Sequence, residues 1–129
     1  MIARLWRGHT RAEDAAAYTA FLEARAFPDY RAIEGNRGVV LLKNTGETTA
    51  EFVLISTWES FDAIRHFAGP EVERAVYYPE DDHFLLGREP RVTHYEVSVA
   101  PGGAGDARED LHGFEKSSVP GGVAAAAPR

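Results

Sequence analysis

Residues 51–86, EFVLISTWESFDAIRHFAGPEVERAVYYPEDDHFLL, pass from a strand pattern to a helical pattern within a few positions. Residues 52–58 are β-branched and aromatic and contain no breaker, which predicts a strand ending at Trp58. Ser60 follows, and its hydroxyl can accept a hydrogen bond from a free amide of the next turn, so a helix is expected to begin there. Apolar side chains then recur at helical spacing until a Gly-Pro pair ends the pattern.

The second half of this stretch predicts a short helix and then an aromatic loop. Pro70 suits the first turn of a helix, and apolar residues follow it at positions 72, 75 and 76. The polar and aromatic loop YYPEDDH comes next, at residues 77–83. Trp58 stands where a strand meets a helix, and Tyr77 and Tyr78 return nearby in sequence, so these side chains are predicted to line any pocket.

Upstream, residues 2–9 predict a first strand in which neither face is wholly polar. Leu5 and Arg7 share one face, which is expected to meet the helices, while Arg4 and Trp6 share the other. A charged group beneath helices needs a partner, so Arg7 is a candidate for binding an anionic substrate. A salt bridge to Asp or Glu is the competing interpretation.

A helix is predicted between the first and second strands, over about residues 11–26. Thr10 and Glu13 have the spacing of a capping box, which places the start of the helix at Thr10. Pro28 is expected to end it. The apolar stripe that should face the sheet consists of Ala15, Tyr18, Leu22 and Ala26.

The remaining strands are predicted at residues 37–44, 50–58 and 91–99, with the turn NTGE joining the first two as a hairpin. The order is then β-α-β-β-α-β, which is an α+β, ferredoxin-like domain of residues 1–99 with an antiparallel four-stranded sheet. Helices cover one face of that sheet. The uncovered face, predicted to bear Arg4 and Trp6, is expected to pair with a second copy in a homodimer.

Composition limits the partners and the compartment. The net charge of −6 and the lack of a basic stripe argue against nucleic acid, and no apolar run is long enough for a membrane span. Without cysteine there is no disulfide framework or thiolate metal site. A cytoplasmic protein from a GC-rich bacterium is expected. Residues 100–129 are dense in Gly, Pro, Ala and Ser, which predicts a flexible tail.

Several segments resemble the antibiotic biosynthesis monooxygenase family, the dimeric α/β-barrel group. The resemblance covers about residues 1–99 and rests on MIARLWRG, PDYRAIEGNRGVVLL, LISTWESFDAIRHFAG and YYPEDDHFLL. It implies a pocket between sheet and helices in each subunit of a homodimer. It also implies either cofactor-independent oxygenation of phenols or, as in other relatives, binding and degradation of haem.

The family's functional positions carry over at Trp58, the tryptophan that closes the third strand. The asparagine and histidine of the haem-degrading relatives correspond to Ala3 and to Val76 or Tyr77, so haem degradation is not expected. The asparagine of the phenol oxygenases corresponds to Leu54.

Candidate site residues follow from residue chemistry. Histidine is the residue type most often used as a catalytic base, so His66 and His83 are candidates for that role, although a half-exposed helix histidine and a solvated loop histidine are the competing interpretations. Arg7 is the third catalytic candidate, for stabilising negative charge. The histidines show no metal-ligand spacing, so no metal and no cofactor are predicted. The candidates for substrate binding are Trp58, Tyr77, Tyr78 and Phe61.

Two functions remain open at this point. In the first, the protein is a cofactor-independent monooxygenase that deprotonates a small phenolic substrate, whose anion reduces O₂. In the second, it is a non-catalytic dimeric barrel that binds a small hydrophobic ligand or haem. Trp58 is central to both, because it either stacks on a planar ligand or anchors the core at the corner between strand and helix.

Overall fold

The computed structural model describes residues 1–100, whose four strands form one antiparallel sheet. The strands are β1 (Ile2–Arg11), β2 (Asn36–Thr45), β3 (Thr49–Trp58) and β4 (Thr93–Glu96). Their order in the sheet, β2-β3-β1-β4, is compatible with a ferredoxin-like fold and confirms the predicted α+β class. The predicted tail lies, from residue 101 onward, outside the described residues.

The connection between β1 and β2 is helical throughout and continues past its proline. A 3₁₀ turn (Ala12–Asp14) leads into α1 (Ala15–Phe21), a π-helical turn (Leu22–Ala26) and α2 (Phe27–Arg31). The prediction that Pro28 ends the helix is therefore wrong. Proline lacks an amide and clashes with the carbonyl four residues earlier, and the wider π turn just before it accommodates that defect. The predicted stripe of Ala15, Tyr18, Leu22 and Ala26 is buried, as expected.

The capping box predicted at Thr10 does not form. Thr10 pairs with Ala50 in the sheet, and its hydroxyl donates to the carbonyl of Arg11 at 2.8 Å. The residue before the 3₁₀ turn is Arg11, which makes no side-chain cap. The strand thus extends two residues beyond its predicted end and takes up the residue that was expected to begin the helix.

The helix α3 (Phe61–Ala68) begins as predicted, with the hydroxyl of Ser60 accepting from the amide of Ala63 at 3.2 Å. It ends at Gly69, whose φ of 88° is in the region that favours glycine. The short helix predicted after Pro70 is absent from its place, and α4 (Asp81–Phe84) forms further along the chain.

Backbone pairing explains why residues 70–76 are not helical. The amide of Ala75 donates to the carbonyl of Pro90 at 2.9 Å, and the amide of Val92 donates to the carbonyl of Glu73 at 2.8 Å. Arg74 and Arg91, which lie between these hydrogen bonds, form an isolated antiparallel bridge. The Ala75 amide and the Glu73 carbonyl are used across the chain rather than within a helical turn.

The face of β1 that meets the helices is the opposite of the predicted one. Arg4, Trp6 and Thr10 are buried, whereas Arg7 and His9 are exposed. The ring of Trp6 lies over Gly8, where an added Cβ would come within 2.1 Å of a ring carbon. Only glycine leaves room for that ring, so the Trp6 face is the packed one.

The core lies between this face and the helical regions. From the sheet it includes Trp6, Phe52, Leu54 and Trp58, and from the helices Tyr18, Leu22, Tyr30 and Ile64. Leu5, Val40, Leu42, Val53 and Ile55 alternate with these positions and lie on the opposite face of the sheet. Within residues 1–100, no helix has the length and apolar character needed to cross a membrane.

Candidate functional site

A row of three polar side chains crosses the helix-facing side of the sheet. Arg4 on β1 is directly opposite Ser56 on β3 and directly opposite His94 on β4. Residues opposite each other in an antiparallel pair point to the same face, so all three side chains lie beneath the helices. Polar groups are thus concentrated in the middle of an otherwise apolar surface.

Arg4 is a fully buried cation that also organises the loop after α3. Its guanidinium donates to the carbonyl of Val72 and, at 2.9 Å, to the carbonyl of Arg74. It lies over the ring of Phe67, with 5.7 Å between the guanidinium carbon and the ring centroid. Burial lowers the pKa of Arg4 to about 10, so the side chain remains charged at neutral pH.

His94 is half-buried and lies beside this cation. Its Nε2 is 3.2 Å from a guanidinium nitrogen of Arg4, and its ring meets the edge of Phe61 at 5.3 Å between centroids. Burial, and secondly the charge of Arg4, lower the pKa of His94 to about 4. The imidazole is therefore neutral at neutral pH. Since the guanidinium can only donate, Nε2 accepts and the ring proton is assigned to Nδ1.

Trp58 belongs to an aromatic cluster at the end of β3. It is fully buried and packs edge-on against Tyr30 at 6.1 Å and tilted against Phe67 at 5.6 Å between centroids. Tyr30 and Phe67 also contact each other, at 4.4 Å. Phe67 connects this aromatic cluster to the polar row of Arg4, Ser56 and His94, because it touches both Trp58 and Arg4.

Two polar atoms of β3 in this region are buried without a hydrogen-bond partner among residues 1–100. They are the hydroxyl of Ser56 and the indole nitrogen of Trp58. The two residues are separated by one position, so their side chains lie on the same face of the strand. Buried polar groups are normally paired, and an unpaired one indicates strain, a bound molecule or a functional role.

Of the other predicted site residues, Phe61 contacts the polar row of Arg4, Ser56 and His94, whereas the two histidines and Arg7 lie away from it. Phe61 is 39% exposed and contacts His94. His66 on α3 and His83 on α4 are both exposed. Arg7 is exposed on the opposite face of the sheet, 3.6 Å from Glu51, so its predicted place beneath the helices is wrong and the competing salt bridge is observed.

Tyr77 and Tyr78 take part in two different aromatic groups. The hydroxyl of Tyr77 accepts a hydrogen bond from the indole of Trp6 at 3.0 Å, and the two rings meet edge-on. Tyr78 packs edge-on against Phe21, and its hydroxyl donates to Asp29. The structure thus places one tyrosine against β1 and the other against the helical segment between β1 and β2.

Asp81 organises the loop that contains these tyrosines. Its carboxylate is fully buried and accepts from the hydroxyl of Tyr18 at 2.9 Å and from the amide of Tyr78 at 2.7 Å. Glu80, beside it, pairs with Arg25 at 3.0 Å. The acidic run in this loop therefore has a structural role at Asp81, since it fastens the loop to α1.

Sequence reasoning did not find Arg4, Ser56, His94 or Tyr30 as site residues. Arg4 was placed on the wrong face of β1, and His94 is far from it in sequence. One signal was available, because a large ring at Trp6 fits well over glycine at position 8, which marks that face as crowded. Ser56 and Tyr30 carried no comparable signal.

Among residues 1–100, no group of three or more histidine, aspartate or glutamate side chains is arranged to hold a metal ion. The interior site has donors in abundance, from Arg4, Ser56 and Trp58, and a neutral imidazole at His94. Such a set suits an organic ligand with an acceptor oxygen better than a metal ion. No family model matches the chain, and no curated protein is significantly similar to it.

Proposed function

We propose that the protein is a cofactor-independent monooxygenase of a small aromatic, phenolic substrate, bound between the sheet and the helices as in antibiotic biosynthesis monooxygenases. The observation that carries the proposal is the position of Trp58. Its ring forms an aromatic surface with Tyr30 and Phe67, while its buried indole N–H has no acceptor among the described residues. An aromatic ligand that bears an oxygen satisfies both features, because its ring packs on aromatic faces and its oxygen accepts the hydrogen.

The chemistry requires only the substrate and O₂. Loss of a proton from the substrate leaves an electron-rich anion, which passes one electron to O₂ and gives a substrate radical and superoxide. These combine into a peroxide at the substrate carbon, and loss of water leaves a carbonyl. One oxygen atom enters the product and the other leaves as water, so a CH₂ group and O₂ become C=O and H₂O. The protein contributes dry surroundings and stabilisation of the anion.

The second candidate, a non-catalytic binder of a small hydrophobic ligand, is favoured by one observation. His66 and His83, the predicted bases, are both exposed rather than inside the cluster around Trp58. A base must come within hydrogen-bond reach of the proton that it removes. A protein with the same aromatic surface and no base in reach would bind the ligand without turning it over.

Oxygen uptake with an electron-rich anthrone or phenol distinguishes the two candidates. A monooxygenase consumes one O₂ per substrate and places one labelled oxygen atom from ¹⁸O₂ in the product. Saturable binding without oxygen uptake identifies the binder, and absence of both binding and uptake contradicts both functions. The variants His66→Gln and His83→Gln are tested in parallel, since loss of turnover with unchanged binding identifies the base.

A homodimer through the sheet face opposite the helices is part of the proposal. Leu5 lies directly opposite Ile55, which lies opposite Val40, and Val53 lies opposite Leu42, so apolar side chains from three strands are adjacent. This is the face that a ferredoxin-like subunit uses when two sheets pack into a barrel, and it replaces the Arg4 and Trp6 face, which the helices cover. A second copy would bury the apolar patch.

Light scattering at micromolar concentration tests the dimer. The wild-type chain should have twice the mass of one chain, and Val53→Glu should have the monomer mass, because it places a charge in the middle of the interface. Lys43→Glu is the matched control, since Lys43 reaches Thr19 on the helix side of the sheet at 3.4 Å. A wild-type chain of monomer mass contradicts the dimer.

A further inference from the structure

We propose that Arg74 and Arg91 form a surface site for a phosphate group in its dianionic form, carried either by free phosphate or by a phosphate monoester. We call these two side chains the arginine pair. They lie where the loop after α3 pairs with the segment that precedes β4. The inference does not depend on the aromatic ligand of the proposed function, and it adds a second class of ligand at a different place on the molecule.

The backbone holds the arginine pair at the closest spacing that antiparallel pairing allows. Arg74 and Arg91 are directly opposite each other. One flanking hydrogen bond runs from the amide after Arg74 to the carbonyl before Arg91, at 2.9 Å, and the other runs from the amide after Arg91 to the carbonyl before Arg74, at 2.8 Å. This pattern identifies the narrow kind of pair, with about 4.5 Å between Cα atoms. The two side chains therefore point to the same face and start close together.

The framework that carries the arginine pair is anchored in the core. Val72 and Val92, one in each of the two paired segments, are buried. The buried guanidinium of Arg4 donates to the carbonyl of Arg74 at 2.9 Å, and the amide of Arg74 donates to the carbonyl of Glu71 at 3.0 Å. The backbone of the site is thus in place before a ligand arrives, and binding has to order only two side chains.

Two positive charges held opposite each other favour the binding of an anion. Both arginines are exposed, and like charges directly opposite each other destabilise an antiparallel pair. The side chain of Arg91 makes no hydrogen bond or ion pair with any of residues 1–100. Arg74 has one ion pair within this range, to Glu71 at 3.6 Å, in which the two side chains are 71% and 74% exposed. So exposed a contact is weak, and an anion can replace it.

The acidic residues nearby leave the arginine pair with a positive charge. Besides Glu71, two glutamates lie within two residues of the pair in sequence, and both are exposed. Glu73 is next to one member of the pair, and its charge acts on Arg4 and His94 in the interior. Glu89 makes no ion pair among the described residues, so water screens its charge.

The chemistry of the arginine pair selects a tetrahedral dianion. Each guanidinium is a planar fork that can bind two oxygen atoms of a phosphate or a carboxylate at once. A phosphate dianion offers oxygens to both forks and one negative charge to each arginine. A carboxylate has only two oxygens and one charge. A phosphate monoester carries a charge of about −1.5 to −2 at pH 7, so it meets both requirements under ordinary conditions.

The test titrates the full chain with methyl phosphate at constant ionic strength and follows arginine labelled with carbon-13 at Cζ by NMR. The signals of Arg74 and Arg91 should shift together and saturate, with a dissociation constant on the order of 1 mM. Methyl sulfate has the same shape but one charge, and it should bind at least about threefold more weakly, which is the contribution of one exposed charge pair. Inorganic phosphate is titrated in parallel. Tighter binding of inorganic phosphate indicates the free ion as the ligand, and tighter binding of methyl phosphate indicates an ester.

Three variants and a matched control assign the site. Arg74→Gln and Arg91→Gln should each weaken methyl phosphate binding at least about threefold, and their missing signals assign the spectrum. Arg74→Lys keeps the charge but not the fork, so it should weaken binding as well. Arg65→Gln is the control, because Arg65 is also exposed and also pairs with an acid three residues away, Asp62. The glutamine changes in the arginine pair relieve a like-charge contact, so they are not expected to unfold the protein.

Four results would contradict the site. The first is a set of shifts that rise with concentration without saturating. The second is an equal loss of binding in Arg65→Gln and in the two variants of the arginine pair, which would indicate a general attraction between charges. The third is equal binding of methyl sulfate and methyl phosphate. The fourth is unchanged binding in Arg74→Gln or Arg91→Gln. The net charge of −6 makes a general attraction for anions unexpected in this chain.

Discussion

The Nε2 atom of His94 lies 3.2 Å from a guanidinium nitrogen of Arg4, although 90 positions separate the two residues in the chain. The contact joins β1 to β4, on the side of the sheet that the helices cover. It requires a neutral imidazole, because a protonated ring would place two cations side by side. The protonation state of His94 is therefore coupled to the pairing of β1 with β4.

The first prediction concerns the pH dependence of stability. The pKa of His94 is lowered from 6.5 to about 4 in the folded protein, so between these values the unfolded chain binds more protons. The stabilisation is complete above about pH 6.5 and is lost as the pH falls toward 4. We expect a loss of about 1–2 kcal/mol in the free energy of unfolding, because the ring is half-buried and solvent screens part of the effect. Urea unfolding at a series of pH values measures it.

Two variants isolate the contribution of His94. His94→Gln should flatten the fall in stability between about pH 6.5 and 4, since glutamine does not titrate. His66→Gln, at an exposed histidine on α3, is the matched control and should keep the wild-type profile. If His94→Gln also keeps that profile, the imidazole is not held neutral by its surroundings.

The second prediction concerns the two adjacent aspartates of the aromatic loop. Asp81→Asn replaces one carboxylate oxygen with an NH₂ group, which cannot accept, so one of the two hydrogen bonds that Asp81 accepts from Tyr18 and Tyr78 is lost. We expect a loss of about 1.5–3 kcal/mol in the free energy of unfolding. Asp82 is exposed and pairs with Arg88 at the surface, so Asp82→Asn should change the free energy by less than about 1 kcal/mol. Equal effects would contradict the anchoring role of Asp81.

The third prediction tests which face of β1 is packed. An alanine at position 8 would place its Cβ inside the ring of Trp6, so Gly8→Ala should destabilise the protein by about 1–3 kcal/mol. In a Trp6→Leu background the clash is relieved, and the same change should be much less destabilising. A double-mutant cycle measures this coupling, and simple addition of the two effects would contradict the packing of Trp6 over Gly8.

Local features of the fold could be predicted from the sequence. The Ser60 cap depends on a hydroxyl and an amide three residues away, and it forms as expected. The stripe of Ala15, Tyr18, Leu22 and Ala26 is buried because four apolar side chains at helical spacing leave little choice of face. The hairpin between β2 and β3 likewise depends on a short turn and two adjacent strand patterns.

The orientation of β1 could not be predicted in the same way. Both of its faces mix apolar and charged side chains, and a shift of one residue exchanges the buried and exposed sets. Arg4 was predicted on the sheet face that pairs with a second copy and Arg7 on the face beneath the helices, and the structure reverses the two faces. The partners of Arg4, namely the carbonyls of Val72 and Arg74 and the ring of His94, are brought to it by long-range pairing that no local pattern encodes.

The two tryptophans allow the ligand site to be located directly. The chain contains Trp6 and Trp58 and no other tryptophan, so Trp6→Phe leaves Trp58 as the only indole, and Trp58→Phe leaves Trp6. Titration of each variant with a planar phenol, followed by fluorescence, reports which indole the ligand meets. Trp58→Phe should also weaken binding by about 0.5–1.5 kcal/mol, because it removes a stacking surface.

The decisive measurement is the quenching of Trp58 fluorescence in the Trp6→Phe variant by a saturating planar phenol. Binding beside Trp58 predicts strong, saturable quenching in this variant and little in Trp58→Phe. Quenching confined to Trp58→Phe would place the ligand near Trp6. If phenol binding is unchanged and Trp58→Phe instead destabilises the fold by several kcal/mol, Trp58 is a core residue and the proposed site is contradicted.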